Sequence, residues 1–243
     1  MQKGVTLNGY YTKGDTPTPI QYFLSTTSSI DDGGSFVAVG DIKLEHVFLI
    51  ETPSIYFGVN SNQEDNYTAI YNAFTYSINK SNIMTLPEGE LNYGTTLNFT
   101  VRGAKIVGVV GKTILSYTGS SDKAVILDGF INNSNTGRFV HNMTLEDFII
   151  KGSSTTKYML FTRGIAHSRF QNIWTCGGNR VDSQGITLQS THICKFDFCG
   201  NNVAELTPNE ESPMTGLVVD IGARGSNTGG KSTNNPVIGD SSL

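Results

Sequence analysis

Three aspartates, Asp182, Asp197 and Asp220, are the candidates for acid–base chemistry in this sequence of 243 residues. Two carboxyl groups about 5–5.5 Å or 6.5–9.5 Å apart can hydrolyse a glycosidic bond. A lyase instead needs one base for the proton α to a uronate carboxylate, and a cation to stabilise the charge that develops. Each aspartate is also compatible with an ordinary solvated surface position.

Trp174 is the only tryptophan, and the repeat pattern of the chain points its side chain outward. An exposed indole beside Asp197 would form a platform for a sugar ring, with the carboxylate accepting bonds from hydroxyl groups. Lys195, in line with Asp147 and Asn172, adds a cation of the kind a lyase uses, although mixed-charge ladders also stabilise ordinary sheet surfaces. The alternative for Trp174 is an apolar strip with Ile149, buried between subunits.

The composition favours many short strands joined by polar turns. Charged residues are 16% of the chain, hydrophobic residues 37%, and glycines number 27. The formal net charge of −4, without a basic cluster, argues against nucleic-acid binding. The longest apolar run is too short to span a membrane, and the N-terminus lacks the apolar stretch of a signal peptide. We therefore expect a soluble chain that is made in a cytoplasm, without a membrane partner.

The three cysteines, Cys176, Cys194 and Cys199, are an odd number without a CxxC pair. This predicts free thiols rather than a disulfide framework or a zinc site. The histidines are expected to be turn and stacking residues. The sequence therefore predicts neither a metal site nor a cofactor.

An internal repeat governs the second half of the chain. Residues 145–152 align with residues 170–177 at an offset of 25, and residues 170–179 align with residues 193–202 at an offset of 23. A second series runs through residues 125–127, 159–161, 186–188 and 217–219. Short strands with this period predict an all-β fold, a parallel β-solenoid.

Stacking places equivalent positions about 4.8 Å apart on successive coils. The predicted inward stacks are Leu145–Phe170–Ile193 and Phe148–Ile173–Phe196. The predicted outward ladders are Asp147–Asn172–Lys195, Ile149–Trp174–Asp197 and Asp128–Thr162–Gln189–Asp220. In this register Asp147 and Asp197 lie roughly 11–12 Å apart and Asp128 and Asp220 about 14 Å apart, too far for a catalytic pair.

The first half contains a small β module and one helix. Residues 5–7, 21–24, 36–39 and 47–50 are predicted strands, separated by turn residues. Residues 65–79 carry apolar side chains at helical spacing, and Asp65 can accept a bond from a free N–H of the first turn. Such a helix is well placed to cover the open first coil.

Four motifs occur in the order found in one known family. They are residues 57–59 (FGV), 65–73 (DNYTAIYNA), 86–93 (LPEGELNY) and 103–108 (GAKIVG). Together with residues 9–15 (GYYTKGD), they make the chain resemble the pectate-lyase-like right-handed parallel β-helix proteins, above all the tailspikes and capsule depolymerases of bacteriophages. The resemblance implies a small module at 1–57, a capping helix and linker at 58–82, a parallel β-helix at 83–223, and a tail or incomplete coil at 224–243.

The resemblance also implies a function. It implies a homotrimeric phage protein of the virion tail or baseplate that binds capsular or O-antigen polysaccharide and, in a full-length form, depolymerises it as a hydrolase or lyase. The alternatives are a non-catalytic structural or adhesion module, and a secreted bacterial enzyme of the same fold. Relatives have many more than the roughly five or six coils expected here at 23–25 residues per coil. We therefore expect a fragment of a longer protein; the alternatives are a truncated gene product, or an open end that partner subunits cover. By itself the chain is expected to be inactive or weakly active, and prone to self-associate.

Overall fold

The computed structural model describes residues 4–27, 29–130, 139–178, 182–197, 199–201 and 215–220, with the backbone alone for residues 200, 201 and 215–220. The predicted tail at 224–243 lies outside these ranges. The described chain is mostly β, with parallel sheets, a small antiparallel sheet and one α-helix.

The elements follow one another as a short first group and a longer second group. The first group is β1 (Gly4–Leu7), β2 (Ile20–Leu24), β3 (Phe36–Val39), β4 (Ile42–Glu45), β5 (Glu51–Pro53), a 3-10 helix (Ser54–Phe57) and α1 (Tyr67–Lys80). The second group is β6 (Ile83–Thr85), β7 (Gly89–Tyr93), β8 (Leu97–Asn98), β9 (Lys105–Val107), β10 (Thr113–Tyr117), β11 (Lys123–Asp128), β12 (Val140–His141), β13 (Thr144–Gly152), β14 (Tyr158–Arg163), β15 (Ile165–Ala166), β16 (Arg169–Gly177), β17 (Gln184–Gln189), β18 (Lys195–Asp197), β19 (Gly200–Asn201) and β20 (Thr215–Asp220).

The N-terminal module is an antiparallel sheet of order β1-β2-β4-β3. The prediction of a fourth strand at residues 47–50 was wrong. The fourth strand is β4, because a two-residue turn at Gly40 and Asp41 pairs Val39 with Ile42. The segment after β4 leaves the sheet, so that Leu49 is 83% exposed and Ile50 is 74% exposed. An apolar run therefore marked a surface segment here.

The helix α1 lies where the sequence predicts a helix. Asp65 Oδ1 accepts a hydrogen bond from the backbone N–H of Tyr67 at 2.8 Å, as expected of a residue at a helix start. Ile70, Ala73 and Phe74 are buried on one face of α1 and belong to the same apolar core as the parallel strands. Within the described residues, no helix is long and apolar enough to cross a membrane.

Parallel pairing organises the rest of the described chain. One sheet contains β5, β6, β9, β13, β16 and β18 in hydrogen-bonded succession. β10 pairs with the second half of β13, β7 pairs with β10, and β19 pairs with the second half of β16. The other sheet has the order β20-β17-β14-β11-β8. The central inward column of the first sheet is Thr52–Met84–Ile106–Leu145–Phe170–Phe196.

The offset of 25 between β13 and β16 is confirmed, since Leu145 pairs with Phe170 and Phe148 pairs with Ile173. The offset of 23 between the next two units is wrong. Phe170 pairs with Phe196, an offset of 26, and their rings stack at 4.6 Å. Ile193 is a turn residue with a φ of 50° and 61% exposure. Because residues 193 and 196 are both apolar, either could align with Phe170, and the prediction of Ile193 was wrong.

The second sheet also departs by one residue from its predicted register. Val125 pairs with Leu160 rather than with Met159, and Asp128 pairs with Arg163 rather than being in line with Thr162. Gln189 pairs with Asp220, as predicted, but its partner on the other side is Arg163 instead of the predicted Thr162. Met159 and Leu160 are both fully buried, so the apolar run gives no clue to which of them pairs with Val125.

Candidate functional site

The outer face of the first parallel sheet brings five polar side chains together, which we call the charged cluster: Glu146, Arg169, Gln171, Lys195 and Asp197. They occupy two adjacent outward columns, because Arg169 pairs with Lys195, Glu146 pairs with Gln171, and Gln171 pairs with Asp197. Alternation along a strand points these residues away from the buried column of Leu145, Phe170 and Phe196.

Ion pairs connect the charged cluster. Lys195 Nζ lies 2.8 Å from Asp197 Oδ2, and Arg169 Nε lies 3.8 Å from the same oxygen. Arg169 Nη1 lies 3.9 Å from Glu146 Oε1, and Nη2 donates a hydrogen bond to Gln171 Oε1. Arg169 therefore lies between two carboxylates of neighbouring strands.

Trp174 lies further along β16, beyond a bend in the sheet. Asp147 and Asn172 form this bend with φ angles of 64° and 51°, a conformation that their short polar side chains tolerate. Asn172 Oδ1 accepts a 2.8 Å hydrogen bond from Trp174 Nε1, and Asn172 Nδ2 donates to Asp147 Oδ1 at 3.1 Å. The indole is 37% exposed, so its edge is held while part of its surface faces solvent.

Trp174 belongs to a column of apolar residues, the apolar strip, which consists of Ile114, Ile149 and Trp174 on three successive strands. Beside it, Lys151 Nζ contacts Glu90 Oε1 at 2.8 Å across the intervening strand. Hydrogen bonds from Lys151 and Ser116 hold the pKa of the Glu90 carboxyl below its usual value. The outer face thus combines an apolar surface with a charged edge.

In the observed register, Asp197 and Lys195 lie beside other residues than the predicted Trp174 and Asn172. Asp197 neighbours Gln171 instead of Trp174, and Trp174 pairs with Gly200. Lys195 neighbours Arg169 instead of Asn172. Asp197 and Lys195 remain on the same outer face as Trp174, but before the bend. The predicted stack of Trp174 directly above Asp197 is therefore wrong.

Asp182 is on a different part of the surface. It follows β16 in a turn, and its Oδ2 lies 2.9 Å from Lys157 Nζ. The hydrogen bond to Asp182 raises the pKa of Lys157, whose ammonium group lies 5.3 Å from the centre of the Tyr158 ring. These residues flank the second parallel sheet rather than the charged cluster.

Asp220 ends β20, and its backbone is in register with Gln189. Three strands away, Asp128 forms a bidentate ion pair with Arg163, with 2.9 Å from Nε to Oδ1 and 2.6 Å from Nη2 to Oδ2. Only 5% of the Asp128 side chain is exposed, so this pair is a structural contact of the sheet rather than an open site.

The corrected register reveals a carboxylate spacing that the sequence analysis missed. Glu146 and Asp197 stand two strands apart in one column, about 9.6 Å between backbones by strand spacing. In inverting glycosidases the two carboxyl groups lie about 6.5–9.5 Å apart, so this backbone spacing is just above that range. The polar–aromatic–polar pattern shared by residues 169–171 (RFQ) and 195–197 (KFD) was a signal for this alignment.

Among the described residues, neither grooves nor metal-binding groups give a stronger candidate for a functional site. A groove of about 560 Å³ between the module and β5 is lined by apolar side chains together with Thr18, Gln21, Glu51 and His46, and His46 Nδ1 already bonds to Gln21 O at 2.8 Å. Across the described ranges, no group of three or more histidine, cysteine or acidic residues is arranged to hold a metal ion.

Comparison with known proteins identifies a fold. No family model matches the chain, and no curated protein matches it. Among solved structures, the gp42 tailspike of Acinetobacter phage vb_AbaP_AS12 matches with a TM-score of 0.62 and 13% identity, over 82% of this chain and 36% of that one.

Two further structures match less well. Tailspike protein 2 of an Escherichia coli O157:H7 bacteriophage has a TM-score of 0.49 and 12% identity, over 83% of this chain and 33% of that one. A glycan biofilm modifying enzyme of Pantoea stewartii, described as having a tailspike-like parallel β-helix fold, has a TM-score of 0.40 and 10% identity, over 90% and 49%. The chain spans about a third of the length of the two tailspikes. In its fold, this chain is close to the phage tailspike proteins.

Proposed function

We propose that the chain is part of a phage tailspike that binds bacterial capsular or O-antigen polysaccharide through the outer face of its first parallel sheet. In this proposal it acts on the virion tail or baseplate, as a homotrimer, after synthesis in the host cytoplasm. The similarity in fold to the vb_AbaP_AS12 tailspike supports the architecture, and the surface chemistry supports the ligand.

The observation that carries the proposal is the partly exposed Trp174, held at its edge by Asn172. A fixed aromatic surface binds the apolar face of a sugar ring at low entropic cost, because its conformation is set before binding. The apolar strip repeats at the strand spacing of about 4.8 Å, so Ile149 and Ile114 extend the apolar surface beside the indole.

The detailed architecture belongs to the same proposal. We take the two parallel sheets as faces of one right-handed parallel β-helix, from residue 83 to residue 223, with residues 1–57 as a small module and residues 224–243 as a tail. Residues 58–82 then provide the cap, since Phe74 of α1 packs on Phe99 with ring centres 5.0 Å apart.

Cleavage of the bound polymer is the catalytic part of the proposal. Asp182, Asp197 and Asp220 remain the candidate catalytic residues of a longer form, and Trp174, Lys195 and Asp197 the candidate binding residues. Asp197 is favoured because it shares a face with Trp174. A non-catalytic adhesion module is the second candidate function, favoured by the ion pairs that already occupy the Asp182 and Asp197 carboxylates.

Binding to an array of purified capsular and O-antigen polysaccharides tests the proposal. We expect the chain to bind particular polymers, and Trp174→Ala to weaken that binding at least tenfold. Tyr71→Ala is the matched control, because Tyr71 is 49% exposed on α1, away from the sheet face. Failure of the chain to bind any polymer, or equal losses in both variants, would contradict the proposal. Release of reducing ends by a longer form would separate the enzyme from the adhesion module.

A further inference from the structure

Two exposed cations lie side by side in the charged cluster. Arg169 and Lys195 pair across adjacent strands, with 49% and 70% of their side chains exposed. The carboxylate side chains of Glu146 and Asp197 are only 25% and 24% exposed. Although the four charges cancel formally, solvent on this face has more access to the cationic groups than to the anionic ones.

Arg169 keeps most of its hydrogen-bonding capacity for a ligand. A guanidinium has five N–H donors, and among the described residues its hydrogen bond is the one to Gln171. Its contacts with Glu146 and Asp197, at 3.9 and 3.8 Å, exceed the 2.7–3.2 Å typical of a hydrogen bond. The unused donors form a planar fork that matches the two oxygens of an oxyanion.

The charged cluster also orients these cations before a ligand arrives. Gln171 and two carboxylates surround the guanidinium, and Asp197 fixes Lys195 Nζ at 2.8 Å. Lys195 retains further N–H donors of its ammonium group. Side chains that are already held lose less conformational entropy when they bind.

We propose that Arg169 and Lys195 form a subsite for an oxyanion substituent, a carboxylate or a phosphate, on the polysaccharide. This inference rests on the proposed function and adds that the ligand is an anionic polymer. Glu146, Gln171 and Asp197 are positioning residues. Trp174 lies five residues further along β16, at most about 16 Å away by strand rise, so one polymer chain can stack on the indole and place an acidic substituent at the guanidinium.

A purely structural role for the cluster makes a different prediction. Exposed cross-strand ion pairs contribute about 0–1 kcal/mol to stability and give no preference between charged and neutral ligands. The charge of the ligand therefore distinguishes the two roles without any variant that risks misfolding.

The test uses the same array of capsular and O-antigen polysaccharides in three chemical states: native, carboxyl-reduced, and dephosphorylated with hydrogen fluoride. We expect the bound polymers to be acidic and to lose at least tenfold in affinity after one of the two treatments. Carboxyl reduction identifies a uronate-type carboxylate, and dephosphorylation identifies a phosphodiester. Binding of neutral polymers, or binding unaffected by both treatments, would overturn the inference while the proposed function stands.

Substitutions of Arg169 test whether the preference for acidic polymers arises at this residue. We expect Arg169→Ala to weaken binding of the native acidic polymer by about 10–150-fold, the range for a lost charged hydrogen bond of about 1.5–3 kcal/mol. Arg169→Lys should lose less affinity, since lysine keeps the positive charge but lacks the planar pair of N–H donors. Lys112→Ala is the control for loss of a surface cation, because Lys112 forms an exposed 2.8 Å pair with Glu88 outside the charged cluster.

The binding of treated polymers by Arg169→Ala shows whether Arg169 has only a structural role in the sheet. One of the two treatments removes the acidic group that contacts Arg169. Arg169→Ala and wild type should bind the polymer treated in that way with the same affinity, because the partner of the guanidinium is already missing. An equal loss on native and treated polymers would mean that the substitution disturbs the sheet, and would overturn the subsite. Absence of binding to every polymer by the wild type would remove the proposed function and this inference with it.

Discussion

At the scale of single residues, polar side chains on the outer face are held by neighbours on adjacent strands. Asn172 connects Trp174 with Asp147, and Asp197 connects Lys195 with the Arg169 guanidinium. Such contacts depend on which residues of successive strands stand side by side. They therefore cannot be found from residue types alone.

Glu90 gives a prediction about pH at this scale. The pKa of its carboxyl is lowered from an ordinary value of 4.5 by hydrogen bonds from Lys151 and Ser116, so the folded chain binds fewer protons than the unfolded chain. This stabilisation is present above pH 4.5 and is lost as the pH falls through the lowered pKa. We expect Glu90→Gln to reduce the free energy of unfolding at pH 7 by at most about 1 kcal/mol, because the pair is partly exposed.

Urea unfolding of both proteins at several pH values measures this effect. The difference between wild type and Glu90→Gln should shrink to zero at acid pH, where both side chains are neutral. Glu88→Gln is the control, since its pair with Lys112 is more exposed and should contribute less. A difference that persists unchanged in acid would show that Glu90 acts through packing instead.

At the scale of elements, the strand register decides which residues form the site. Residues 193 and 196 are both apolar, and the sequence alignment placed Ile193 over Phe170, where the structure has Phe196. This shift of three residues moved Lys195 and Asp197 to the wrong neighbours and hid the relation of Asp197 to Glu146. Strand existence and the parallel arrangement were predictable from the repeat; the register across a turn of variable length was not.

Two core substitutions test the register. We expect Phe170→Ala to cost about 3–5 kcal/mol, because the ring is fully buried against Phe196. Ile193→Ala should change stability by less than about 0.5 kcal/mol, since the side chain is 61% exposed in a turn. Chemical denaturation gives both values. A cost of about 2–5 kcal/mol for Ile193→Ala would restore the register inferred from the sequence.

At the scale of the whole molecule, the N-terminal module is tightly fitted to the start of the parallel sheets. Tyr11 donates a hydrogen bond to Gly58 O at 3.2 Å, and Asn72 of α1 donates to Asp32 O at 2.9 Å. Gly58 has a φ of 95°, and a Cβ there would lie 2.6 Å from a ring carbon of Tyr10. The FGV motif that carries the family resemblance is thus the point of attachment between the two parts.

Gly58→Ala tests this attachment. We expect it to reduce stability by at least about 2 kcal/mol, from the positive φ together with displacement of the Tyr10 ring. Gly14→Ala is the matched control: its φ of 89° is close to that of Gly58, but nothing lies within 4 Å of the added carbon. Thermal unfolding and limited proteolysis of the two variants give the comparison. Equal destabilisation would mean that the contact with Tyr10 contributes nothing.

The central claim, that polysaccharide binds across Trp174, has a direct test because this residue is the only tryptophan. Acrylamide quenching of tryptophan fluorescence measures the access of solvent to the indole, which is 37% exposed in the free chain. We predict that a bound capsular or O-antigen oligosaccharide reduces the quenching constant in proportion to site occupancy. Binding shown by calorimetry without any change in quenching would place the polymer elsewhere and contradict the account.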